Sequence, residues 1–280
     1  MADGGVEQVV VGSLDDSTDW SHALKDVAWV VHLAARVHVM DDREQDPLAA
    51  FRQVNVLGTL NLARQAAAAG VRRFVFVSSV KVNGEETAPG QAFVETDTPH
   101  PQDAYGLSKW EAEQGLWAIS RHTGMEVVVV RPPLVYGPGV KANFAALVRA
   151  VQRGWPLPLG AVDNRRSLVA LANLVDFLVL VCTHPKAAQE TFLISDAQDV
   201  SIAALVREIG HIAQKTVKLL YIPTMIMVCL CTLMGKRQAI QRLCGNLQVD
   251  SSKAQHLLGW VPVVTLKQGL RSVLEDKNGL

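Results

Sequence analysis

The chain has 280 residues, 49% of them hydrophobic, enough for one large core or for a nucleotide-binding domain with a smaller companion. Lys plus Arg and Asp plus Glu both total 27, so no net field favours nucleic acid or an anionic membrane, and a small-molecule substrate is expected. Cys182, Cys229, Cys231 and Cys244 show neither Cys-x-x-Cys spacing nor His partners at metal-finger distances, and the N-terminus has no secretory leader; no metal, no disulfide framework and a reducing cytoplasm follow.

From Glu7 onward, short β-rich runs alternate with helical patterns. The runs 8–11, 27–33, Arg73–Val77 and Glu126–Arg131 are largely continuous in hydrophobicity, which is how parallel strands buried on both faces read. Helices are predicted near 20–24, over 47–69 and over 108–123, with Gly70 and Gly124 as C-terminal caps. After Pro132-Pro133 come a helix over 143–153, a Pro-rich turn at 155–158 and helices over 171–182 and 202–214. The pattern predicts a doubly wound Rossmann-type α/β fold. A dinucleotide-binding domain is expected over 1–140 and a mainly substrate-binding, mixed α/β domain over 141–280, with some segments returning to the sheet. The apolar run 219–234 contains Pro223 and falls short of the ~20 residues of a spanning helix, so it reads as a buried or groove-lining helix and no integral membrane segment is expected. Asp250-Ser251-Ser252-Lys253 reads as the capped start of a helix closed by Gly259, with Pro262 beyond it.

Tyr105 and Lys109 stand four apart at a helix start and so share one face. Alone, that spacing describes an exposed tyrosine and a solvated lysine as well as it describes a site. Its weight comes from the run Phe74-Val75-Phe76-Val77, which leads straight into Ser78-Ser79, because ligands of doubly wound sheets bind at the carboxyl ends of the strands. A tyrosine of ordinary pKa ~10 is a poor base near neutrality, but a nearby ammonium and an oxidised nicotinamide both favour the phenolate. Ser79 would hydrogen-bond the reacting oxygen, Tyr105 would exchange its proton, and a nicotinamide cofactor would exchange hydride with the carbon bearing it. His32, near the end of a buried strand, reads as a hydrogen-bonded core residue.

With Val31-His32-Leu33-Ala34-Ala35, Asn55-Val56-x-Gly58-Thr59, Ser78-Ser79, Tyr105-x-x-x-Lys109 and Arg131-Pro132-x-x-x-Tyr136-Gly137-Pro138-Gly139, the sequence resembles the extended short-chain dehydrogenase/reductases, the NAD-dependent epimerase/dehydratase family. The resemblance implies that Ser79, Tyr105 and Lys109 are catalytic. It implies cofactor contacts from Leu14, Ala34, Ala35, Asn55, Tyr105, Lys109 and Pro132, and substrate contacts from Ser79, Asn143, Arg166 and Arg242, the arginines suiting a diphosphate. Asn164-Arg165-Arg166-Ser167-Leu168-Val169 and Val80-Lys81-Val82-Asn83-Gly84-Glu85 look like bacterial UDP-sugar 4-epimerases and UDP-N-acetyl-hexosamine 4-ketoreductases of surface polysaccharide synthesis. NAD or NADP and a UDP-sugar are therefore the expected partners, without nucleic acid, and a homodimer is compatible with the pattern. Two alternatives stay open: an alcohol or steroid-type dehydrogenase of the same fold, and a binding protein that keeps the catalytic residues without turnover. Family members begin with a strand, a Gly-x-x-Gly-x-x-Gly turn and a helix that hold the pyrophosphate. This chain reads as starting just before the third strand, so the NAD or NADP choice is not legible. A sheet lacking that segment would expose unpaired strand edges, from which poor solubility or domain swapping is expected.

Overall fold

The computed structural model describes residues 6–37, 46–233, 240 and 243–276. They form two compact units: Met1–Val82 with Pro99–Val130 and Val181–Thr191, and Asn83–Thr98 with Arg131–Leu180 and Phe192–Leu280.

The first unit is built on a parallel sheet. β1 (Trp29–His32), β2 (Arg73–Val77) and β3 (Glu126–Arg131) carry the Val- and Phe-rich runs, and with β6 (Glu190–Leu193) the strand order is β1-β2-β3-β6. Val30 stands beside Phe74 and Phe76 beside Val129, both pairings parallel. Phe74, Val75, Phe76 and Val127 to Val130 are all 0% exposed, so continuous hydrophobicity marks strands covered on both faces in β2 and β3, but not in β1, where Trp29 is 42% and Val31 37% exposed. The expected helix over 47–69 is interrupted: α1 (Pro47–Arg52) runs into a π-helical segment (Gln53–Gly58) before α2 (Thr59–Ala68). α3 (Ala104–Thr123) starts on the Asp103 side chain and ends at Gly124, whose φ of 78° closes the helix in the left-handed conformation. Leu62, Ala66, Ala112 and Leu116 join the sheet residues in one core.

Two further expectations fail in this unit. Residues 8–11 are not a strand: Val10 is 95% exposed, and among the described residues the segment has no ladder neighbour, without which an extended run gains no pairing. Residues 20–24 form a turn held by the Leu24 amide on the Trp20 carbonyl, too short to repay helix nucleation.

The second unit contains β4 (Leu134–Tyr136) parallel to β5 (Leu168–Ala170), with α4 (Ala142–Gln152), α5 (Leu171–Thr183), α6 (Ile202–Ile212), α7 (Thr224–Leu233), α8 (Ser252–Leu258) and α9 (Leu266–Glu275). Tyr136, Phe144, Leu168, Val206, Ile209 and Leu270 are among its core residues. Ser201 caps α6, and Thr265 with Gln268 forms a capping box at α9. Ser251 stands at the N-cap of α8 without a side-chain capping bond, its hydroxyl being bonded to that of Ser195 instead; the carboxylate that accepts there is Asp250, from the Ser252 amide. The run 219–234, expected as a buried or groove-lining helix, is helical over α7 in its described part and covered on one side only: Met227 is buried, whereas Met225 is 85% exposed. No helix among the described residues is long and apolar enough to cross a membrane.

Candidate functional site

In the first unit, β2 ends where its chain leaves the sheet. The Ser78 amide makes a last sheet-like bond to the Val130 carbonyl at 2.7 Å, and the Val80–Val82 turn follows Ser79. α3 is fixed against that turn from its first residues. Asp103 accepts from the Gly106 amide at 2.7 Å and pairs with the Lys81 ammonium, so the cap of α3 also ties it to the segment after Ser79. A side chain on Gly106 would meet the Lys81 carbonyl at 2.8 Å, which is why a glycine follows Tyr105.

This docking brings Ser79, Tyr105 and Lys109 together. The Ser79 hydroxyl lies near enough to the Tyr105 side chain to favour its phenolate, and it accepts from the Lys81 amide at 3.3 Å. One turn further on, the Lys109 ammonium donates one of its three hydrogens to the Val77 carbonyl at 2.8 Å and lies 4.4 Å from the centre of the Phe76 ring. Burial pulls Lys109 down to about 8, against the Glu113 carboxylate, which raises it. Tyr105 moves opposite to the expectation drawn from its lysine. Burial and then the Asp103 charge push it up to about 12, and only the Ser79 hydroxyl acts in the other direction. Desolvation of a phenolate outweighs a single hydrogen bond to it. His32 is buried as expected, 2.9 Å from the Thr59 hydroxyl, and is held down to about 3 by burial and then by Lys109.

Asn55 lies in the π-helical segment, a distortion often found at functional sites. Its amide oxygen accepts from the Arg36 amide at 2.8 Å, and its nitrogen donates to the Arg36 carbonyl and to the Ser108 hydroxyl, which in turn donates to the Tyr105 carbonyl. Asn55 therefore clamps the loop after β1, which carries Ala34 and Ala35, to the first turn of α3. Leu14 approaches the same segment. A Cβ on Gly58 would meet its carbonyl oxygen at 3.0 Å, so the glycine of Asn-Val-x-Gly-Thr is required by a neighbouring backbone. A lysine ammonium with donors to spare beside a phenol matches vicinal ribose hydroxyls, and the exposed Ala34 with half-buried Ala35 adds no bulk. The donor set fits the nicotinamide ribose of a dinucleotide.

The second unit holds the candidate substrate residues. Pro132 is buried between β3 and β4, and Asn143 is exposed on the first turn of α4. Arg166 lies on an extended segment bridged to Val200 and Leu247; its guanidinium donates to the Gly245 carbonyl at 3.0 Å. Burial lowers its pKa, and the carboxylates of Glu86 and Glu85 oppose that. Arg165, by contrast, is exposed. Arg242 lies outside the described residues.

Sequence reasoning missed Glu113. It is 0% exposed and accepts from the Ser78 hydroxyl at 2.5 Å, so it ties α3 to the residue before Ser79. The available signal was its position four residues after Lys109, on the face already assigned to the site. It also missed Asp103, legible as an N-cap two residues before Tyr105, and Phe76, which reads as an ordinary strand residue.

The profile described as the NAD dependent epimerase/dehydratase family matches residues 2–195. A UDP-glucose 4-epimerase of Vibrio cholerae is 49% identical over 266 residues, 95% of this chain and 81% of that one. An N-acetyl-alpha-D-glucosaminyl-diphospho-ditrans,octacis-undecaprenol 4-epimerase of Escherichia coli O157:H7 is 28% identical over 95% of this chain and 82% of its own. Among solved structures, a UDP-glucose 4-epimerase of Thermotoga maritima with UDP-glucose superposes with a TM-score of 0.72 at 26% identity, covering 89% of this chain and 76% of that one.

Proposed function

The chain belongs to the NAD dependent epimerase/dehydratase family, and on that premise we propose that it inverts C4 of a UDP-sugar, a UDP-hexose or UDP-N-acetyl-hexosamine, in the cytoplasm for polysaccharide synthesis. The carrying observation is the cluster in which half-buried Ser79 stands near Tyr105, one turn from the buried Lys109. The likeness to the Vibrio cholerae enzyme favours epimerisation over net reduction.

In this reading Ser79 hydrogen-bonds the 4-oxygen while its proton passes to Tyr105; once the 4-keto sugar has turned its other face, the same phenol returns the proton to that oxygen as hydride is delivered to the opposite face of C4. A nicotinamide held beside Tyr105 and Lys109 would supply the hydride exchange at C4 and a positive charge that favours the phenolate. Lys109 would hold the nicotinamide ribose and offset charge on the phenolate. Asn55 keeps the first turn of α3 and the loop carrying Ala34 in register. Arg166 would meet the diphosphate, its half-buried guanidinium supplying charge-assisted donors.

The test is incubation of the protein with NAD and either UDP-glucose or UDP-N-acetylglucosamine, followed by proton NMR of the sugar. The expected result is the C4 epimer of one or both, approached equally from either side, without net NADH. Stoichiometric NADH formation, or no conversion of any of these sugars, would contradict the reading.

A further inference from the structure

A net charge of zero conceals one strongly biased stretch. From Ile209 to Val249 the sequence contains no Asp or Glu, while Lys215, Lys218, Lys236, Arg237 and Arg242 fall inside it. At its centre the apolar side chains are uncovered: Leu220 is 47%, Tyr221 73%, Met225 85% and Ile226 51% exposed. α7 is nonetheless anchored, since Met227 is buried in the core of the second unit and Val228 packs against it. Met225 and Ile226 therefore sit on a helix held from its other side, and Leu220 and Tyr221 on the segment that leads into it.

A second segment adds to the same face. The Leu157 amide donates to the Lys218 carbonyl at 2.9 Å, the Leu220 amide to the Leu157 carbonyl at 2.8 Å and the Gly160 amide to the Leu220 carbonyl at 3.0 Å. Just ahead of these bonds Trp155 is 55% exposed, with the Arg153 guanidinium 5.2 Å from its ring. Arg153, Lys215 and Lys218 are all exposed.

Tryptophan and tyrosine with a wet tip, aliphatic side chains, and cations on flexible stems suit the boundary between lipid headgroups and acyl chains. A second copy meeting this face about a two-fold axis would bring like charges together, whereas an anionic lipid surface supplies the opposite sign. We propose that Trp155, Tyr221, Met225 and Ile226, with the cations around them, dock the protein on the surface of a bilayer containing anionic phospholipid. The contact is interfacial and independent of the reaction assigned to the first unit.

The test is co-sedimentation of the purified chain with vesicles of phosphatidylcholine alone or mixed equally with phosphatidylglycerol, at low and high salt. The expected result is sedimentation with the mixed vesicles only, weakened by salt, with affinity reduced about tenfold or more by Met225→Asp with Ile226→Asp. Lys215→Glu with Lys218→Glu tests the cations without touching α7, and each variant is checked for a wild-type melting temperature. Failure to sediment with either vesicle, salt-insensitive sedimentation with both, or binding unchanged in a folded variant would overturn the proposal. So would a dimer that fails to bind vesicles and that the Asp substitutions dissociate.

Discussion

The corner holding Ser79, Tyr105 and Lys109 and the face holding Trp155, Tyr221 and Met225 handle positive charge in opposite ways. In the corner one ammonium is buried, 1% exposed, and its position is set by the Val77 carbonyl, the Phe76 ring and the Glu113 carboxylate. On the face, Arg153, Lys215 and Lys218 remain in water along a stretch without acids. A buried charge must be compensated by particular neighbours, so a single substitution should break its function. A solvated set acts through its summed field and should weaken by degrees.

The largest contrast is expected at the phenol. Tyr105→Phe should lower turnover by about 10³-fold or more while leaving the melting temperature and UDP affinity at wild-type values, since it removes the proton carrier and little volume. Undiminished turnover would remove Tyr105 from the chemistry.

The next effect is on stability in acid. Because His32 is held at about 3 against an ordinary 6.5, the folded chain binds fewer protons there than the unfolded chain between those values. Its contribution to stability is complete above 6.5 and is lost as the pH falls, with a slope of up to ~1.4 kcal/mol per pH unit. Urea titrations of wild type and His32→Gln should differ in slope by that amount across the window. Parallel curves would mean that His32 is not kept neutral by the fold.

A smaller change tests the neighbour of the buried ammonium. Glu113 favours the charged form of Lys109, so Glu113→Gln should move the alkaline limb of the pH–rate profile to lower pH, with activity recovered on acidification. Loss at all pH values with no shift of the limb would make Glu113 a purely structural partner of Ser78. The smallest effects belong to the exposed face. Lys215→Gln and Lys218→Gln should each weaken vesicle affinity by about fivefold and multiply when combined; an all-or-none loss from one of them would make the face a discrete site.

What was legible in the sequence was local. Arg73–Val77 and Glu126–Arg131 fall where the continuous apolar runs put them, because burial on both faces leaves its mark within each strand. Tyr105 and Lys109 were visible through helical spacing. The rest depended on partners far along the chain. Residues 8–11 have strand composition but no ladder neighbour among the described residues, and composition cannot supply one. Glu113 looks like any helix glutamate until Ser78, 35 positions away, is brought against it. The apolar run 219–234 was read as a buried or groove-lining helix because hydrophobicity records what a segment could cover, not whether a cover is present. For Tyr105, the helpful lysine was legible and the opposing desolvation was not, since burial is set by the whole fold.

The central claim, that the Ser79, Tyr105 and Lys109 corner oxidises and re-reduces one sugar carbon, is tested most directly with a UDP-hexose carrying deuterium at C4. The account predicts that the epimerised product keeps the label at C4 and that Tyr105→Phe forms no such product. Release of the label to water during epimerisation, or labelled epimer at the wild-type rate from Tyr105→Phe, would contradict it.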